Sequence, residues 1–195
     1  YRGRNLARLF NPALLLGTLL HDVAFTVVVA YLEFKQANVN AVQYAHLLRD
    51  ELLRLNERYR KVRVVAHSLG SKHVLEAIKL LPQEQRPSEV HLCAGAVTER
   101  EYRELFREGL TNWRNSNNQA YSYWNENDSM LNILFRTASL GDTAIGGAEL
   151  IGQYERIHSV HAHTDHFPKL YGQSLVHNMY APHFHKFARS TNHHR

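Results

Sequence analysis

Ser68 stands in the stretch "VRVVAHSLGSKHVLEAIKLL" (Val62 to Leu81), with Ala66 two residues before it and Gly70 two after. A serine placed where a β-branched run meets a helical pattern can attack a carbonyl carbon. The sharp strand-to-helix turn strains the residue and lifts its hydroxyl clear of the backbone, and it is expected to need small neighbours because it presses their main chains together. From average residue usage the small-x-Ser-x-Gly pattern arises by chance in about one chain in seven, so the case rests on its context. That context fits, with an apolar strand directly before the serine and an amphipathic helix directly after it.

Attack by Ser68 requires a general base within hydrogen-bond reach, and the base requires an acid that fixes its tautomer and stabilises its positive charge. In a parallel α/β sheet these groups come from loops beyond the carboxyl ends of later strands, in the chain order Ser, Asp, His. The strand-like "QAYSYW" is followed by "NENDSML", which sets Asp128 just past the strand, where it also suits the start of the next helix; Glu126 is the nearest substitute. Fourteen histidines compete for the role of base. His177, in "SLVHNMY", lies where the loop after the last strand feeds a final helix and is the expected base, with His163, His166, His183 and His185 as alternatives. His67 is expected to point away from the serine and wall the pocket. The backbone N–H of Leu69, at a helix N-terminus, would hold the oxyanion. No His-Gly or Gly-rich loop before Val62 supplies a second donor, which is expected upstream of Tyr1 or in an unrecognised form.

Two rival chemistries compete with acyl transfer. "HSVHAHTDH" packs His158, His161, His163, Asp165 and His166 closely enough to suggest a metal-dependent hydrolase, since zinc takes three or four N or O ligands at about 2.0–2.2 Å; solvated histidines at a strand end are the plainer expectation, and neither metal nor cofactor is assigned. The other rival is a non-catalytic interaction module, in which the apolar amino-terminal segment and Tyr121, Tyr123 and Trp124 meet a partner or a membrane surface.

The elements that must position these residues follow from hydrophobic periodicity. Asn40 to Arg58 carries Val42, Ala45, Leu48, Leu52 and Leu55 at helical spacing, and the helix after Ser68 lines up Val74, Ala77, Ile78 and Leu81 before stopping at Pro82. "VRVVA", "EVHLCAGAV" (Glu89 to Val97), "QAYSYW" and "ERIHSVHAH" read as strands. "TEREYRELFREG" reads as a helix with Thr98 as N-cap and Glu101 closing a capping box, "SMLNILFRTASLG" as a short helix, and "SLVHNMYAPHFHKFAR" as the terminal helix. Strands alternating with helices predict an α/β fold with a doubly wound, mostly parallel sheet and helices on both faces.

The 195 residues, with 44% hydrophobic and 21% charged, suit one domain with a sizeable core, and 1–195 is read as a single domain. Opening on Tyr1, it is read as a piece of a longer chain, lacking some amino-terminal strands. The net charge of +5 is spread along the sequence, which gives no footprint for nucleic acid. The single Cys93, in an apolar run, excludes an internal disulfide framework and leaves cytoplasmic or membrane-associated settings open. Residues 12–34 form an apolar segment about long enough to span a bilayer, yet His21 and Asp22 stand at its centre, and a central Asp costs about 3 kcal/mol. The segment is therefore expected to be a buried helix broken near Asp22, or to face lipid.

Taken together, "VVAHSLGS", "NENDSML" and a late histidine in matching order resemble the α/β-hydrolase superfamily. More narrowly, "AHSLGSKHVLEAI", "VHLCAGAV", "AYSYWNENDSMLNILFR" and "VHNMY" are similar to a membrane-associated, lipase-like branch of serine hydrolases, a likeness that covers roughly residues 40–187. The resemblance implies Ser68, Asp128 and His177 as the triad, no cofactor, and an ester or lipid substrate.

Overall fold

The computed structural model describes residues 29, 31–105, 118–150, 156–170, 173–174 and 176–188. Four strands form one all-parallel sheet whose spatial order follows the chain: β1 (Arg63–His67), β2 (Glu89–Cys93), β3 (Gln119–Trp124) and β4 (Ile157–His161). Parallel neighbours need crossover connections, and helices lie on each. After α1 (Ala45–Arg58), α2 (Gly70–Lys79) joins β1 to β2, and α3 (Glu99–Arg103) lies between β2 and β3. A π-helix, Met130–Phe135, runs into α4 (Arg136–Ala138) before β4. A two-stranded hairpin, β5 (Lys169–Leu170) and β6 (Gln173–Ser174), and a 3₁₀ turn (His177–Met179) lead to α5 (Tyr180–Phe187).

The register sorts side chains between two faces. Val64, Ala66, Val90, Leu92 and Ala120 pack against Val74, Leu75 and Ile78 of α2, with Tyr102 and Ile145 closing the cluster. The stripe expected after Ser68 is buried throughout: Val74, Ala77, Ile78 and Leu81. Burying a side chain the size of Ile78 contributes about 1.5–3 kcal/mol. On the opposite face α5 places Phe184 and Phe187 on an aromatic row, in which His91 stacks on Tyr121 at 4.7 Å and Tyr121 on His158 at 4.8 Å. Within that row the His91 Nε2–H donates to Glu89 at 3.3 Å, and the Tyr123 hydroxyl donates to His91 Nδ1 at 2.9 Å. Cys93 is also buried here, and burial pushes its thiol up to about 12.

Several expected elements are bounded differently. β2 stops at Cys93 instead of Val97, because Ala94 turns into the left-handed region at φ 47°. Helix extends back through residues 31–43 and breaks at Tyr44, which turns Val42 out of the expected buried face; it is 50% exposed. The terminal helix starts at Tyr180 rather than near Ser174, since the hairpin and the 3₁₀ turn come first. Thr98 and Glu101 do form the capping box. Of the apolar segment 12–34, residues before 29 lie outside the described ones; Leu32 is exposed, and Phe34 meets Phe135 edge-on at 5.7 Å. Among the described residues no helix is long and apolar enough to cross a membrane.

Two glycines make opposite demands. A Cβ on Gly146 would collide with the Ala94–Gly95 peptide, whereas one on Gly70 meets open space among the described residues, so the expected crowding after Ser68 is absent at that position. Gly146→Ala should therefore lower stability by about 1–3 kcal/mol or more, since neither backbone can give way, while Gly70→Ala should be neutral or stabilise α2 by up to about 1 kcal/mol. Chemical denaturation of the two variants checks this.

A second prediction follows from one buried and two half-buried histidines. Burial holds His67, His91 and His158 below the ordinary histidine range. Such groups bind protons more weakly folded than unfolded, so their contribution is complete above about pH 6.5 and is lost as pH falls below it. The thermal midpoint should drop between pH 7.5 and 5.5, and drop less in His91→Gln, which keeps an amide for Glu89 and Tyr123 but cannot titrate.

Candidate active site

Chain direction changes abruptly at the end of β1. Ser68 follows His67 with φ 53°, a left-handed conformation that costs a residue with a Cβ about 1–3 kcal/mol. Backbone hydrogen bonds hold it there. The Ser68 N–H donates to Cys93 O at 3.0 Å, and the Ser68 carbonyl accepts from Ser71 N–H at 3.0 Å and Ala96 N–H at 3.1 Å. Next to it in the sheet, Ala94 is left-handed too. The two strand ends thus turn together.

The hydroxyl that this turn presents meets His177, with Ser68 Oγ 3.1 Å from His177 Nε2. The other ring nitrogen, Nδ1, lies 2.8 Å and 3.0 Å from the two carboxylate oxygens of Asp128. A carboxylate accepts, so Nδ1 carries the proton and Nε2 is free to accept from the serine. Asp128 is fully buried, and its Oδ1 also accepts the Leu131 N–H at 3.1 Å, so it orients the histidine and satisfies the start of the π-helix at once. The His177 side chain is 12% exposed, enough to meet a substrate from one side. Ser68, Asp128 and His177, drawn from three loops far apart in sequence, are brought into one hydrogen-bonded row.

Leu69 is the N-cap residue of α2, and among the described residues its N–H donates to no carbonyl. An unused amide at a helix N-terminus, one residue after the serine, suits a developing negative charge. Ala66 is buried on the α2 face and leaves the turn room.

The alternatives fall elsewhere. Glu126 accepts from His161 Nε2 at 2.8 Å, and the carboxylate on His177 is that of Asp128. His166 stacks on Phe187, His163 meets His161 and His166 edge-on, His183 donates from Nδ1 to Met179 O, and His185 is exposed. Among the described residues no three His, Cys, Asp or Glu side chains gather so that they could hold a metal ion, and His158, His161, His163, Asp165 and His166, the set the rival reading needed, are not brought together in that way. These histidines instead line an open groove of about 650 Å³ along β4, with Lys186 and Phe187. Tyr121 and Tyr123 are buried beneath α5 and Trp124 stacks on His161, so the first two do not supply the outward aromatic surface expected for an interaction module.

Three residues support the row: His67, which the sequence led us to expect only as a wall of the pocket, and Asn125 and Lys72, which were not singled out from sequence. His67 donates from Nε2 to the His177 carbonyl at 2.6 Å. Asn125 is fully buried, donates to Ala162 O at 2.6 Å and accepts the Asn127 N–H at 2.8 Å, so it ties the acid-bearing loop to the end of β4. An Asn directly after a strand is a signal for such a side-chain turn. Lys72, buried in α2, bonds Glu101 at 2.5 Å and Glu76 at 2.9 Å and fastens the helix behind Ser68 to the capping box of α3. Nothing in its helical setting sets it apart from a solvated lysine. Searches against family models, curated proteins and solved structures give no match to this chain, so the reading of the site rests on its geometry.

Proposed function

We propose that the chain is a serine hydrolase that cleaves a carboxylic ester, of the lipase or esterase type, through an acyl-enzyme. The observation that carries this reading is the row Ser68 Oγ, His177 Nε2, His177 Nδ1, Asp128 carboxylate, built on a left-handed serine at a strand-to-helix turn. His177 takes the Ser68 proton as Oγ attacks the ester carbonyl, and Asp128 stabilises the imidazolium that forms. The Leu69 N–H, helped by the positive end of α2, stabilises the oxyanion. The imidazolium then returns its proton to the leaving alcohol, and water repeats the sequence to release the acid.

The positions of the three groups also support the finer architecture expected from sequence. Serine, acid and base follow β1, β3 and β4 in the order found in α/β-hydrolases. The four parallel strands are read as part of a doubly wound sheet of that kind, with the second oxyanion donor on an earlier loop. Phe34, Leu69 and Met179 pack into the cluster around the site and favour an apolar acyl group.

A fluorophosphonate probe tests the nucleophile. Folded protein should be labelled at Ser68, and Ser68→Ala should abolish labelling together with turnover of a panel of acyl esters. Asp128→Asn should lower kcat by about 10³–10⁴-fold, because an amide cannot fix the Nδ1–H tautomer or stabilise imidazolium. Equal labelling of wild type and Ser68→Ala would sink the proposal.

A further inference from the structure

His67 and Ser68 are consecutive, yet they serve opposite sides of the same histidine. Ser68 meets the His177 ring, while the His67 Nε2 lies 2.6 Å from the His177 main-chain oxygen, a contact that closes 110 residues of chain. A carbonyl only accepts, so the His67 Nε2 carries the proton. The two imidazoles lie 4.9 Å apart, and the Tyr180 ring stands 6.1 Å from His67. The turn that carries His177 is a single 3₁₀ turn, closed locally by the Met179 N–H on Val176 O at 3.1 Å. So short a turn leaves the χ1 origin of His177 free to shift unless something grips it from the sheet.

We propose that His67 is a positioning residue: by holding the His177 carbonyl it places the base's imidazole between Ser68 and Asp128. This rests on the acyl-transfer reading above and adds to it a role for the residue before the nucleophile. The task calls for a neutral donor. A permanent cation at this distance would oppose the positive charge that His177 gains during attack, and burial, reinforced by His177 itself, keeps His67 below the ordinary histidine range although the carbonyl bond and Asp128 act the other way. A lysine would bring the donor with the wrong charge, and a phenylalanine would keep the ring without the donor.

The test compares His67→Phe with His67→Gln, using a short-chain aryl ester and the fluorophosphonate probe. Loss of the grip should lower kcat and the labelling rate by about 10–100-fold, the scale of a misplacement near 1 Å, with KM within about twofold. His67→Gln, which can still donate, should recover most of the rate. A purely packing role would give the reverse order, because Phe preserves the ring and Gln does not. A second measurement needs no variant: long-range ¹H–¹⁵N correlation of the wild-type imidazoles should show His67 as the neutral Nε2–H tautomer. Wild-type kcat and labelling in folded His67→Phe, or an Nδ1–H tautomer of His67, overturns the proposal. Wild-type protein that takes no probe at Ser68 overturns the acyl-transfer reading instead, so the two failures are distinguishable.

Discussion

A residue with a Cβ loses about 1–3 kcal/mol in the left-handed region, and Ser68 stays there because both its backbone groups are bonded to chain that comes later in the sequence. Its N–H reaches the end of β2 and its carbonyl receives an amide from beyond that end. The turn is therefore not a local property of "AHSLG". It exists once β1 and β2 have paired, and the direction of the serine hydroxyl, of the His67 ring and of the Leu69 amide all follow from it.

Around that turn the loops at the carboxyl ends of the strands are fastened to one another rather than left to solvent. The Gly146 N–H bonds Gly95 O, the Asn125 N–H bonds Gly146 O, and Asn125 reaches on to Ala162 beyond β4. The acid is thus carried on a platform linked to every strand end from β2 to β4. Such a platform keeps Asp128 buried with both acceptor oxygens satisfied, by the His177 Nδ1–H and the Leu131 N–H. The same logic explains why the aromatic row on the α5 face tolerates His91 and Glu89: His91 bonds Tyr123 and Glu89 inside the layer, and Glu89 is also paired with Arg63 at 2.6 Å.

Much of this was legible in the sequence because it depends on short-range patterns. The apolar stripe of α2, the capping box at Thr98 and the strand at Gln119–Trp124 follow from spacing within a dozen residues. The order serine, acid, histidine was legible too, since topology alone dictates which strand ends can meet. What escaped depends on long-range contact. The truncation of β2 comes from the left-handed Ala94, where the composition of "CAGAV" still suits a strand. His67 gripping a carbonyl 110 residues away, and Lys72 paired inside the fold with Glu101, carry no periodic signature at all. Gly70 shows the opposite error: a residue expected to be small from crowding has space for a methyl group.

The single cysteine has a practical meaning beyond the fold. Cys93 sits buried at the end of β2, and burial pushes its thiol up to about 12, which favours the protonated form. Thiolate, not thiol, reacts with maleimides and iodoacetamides. Burial and a raised thiol both slow Cys93 toward these reagents, so a cysteine introduced on an outward position such as Arg100, whose side chain is 78% exposed, is the favoured point of attachment for a dye or spin label within these 195 residues.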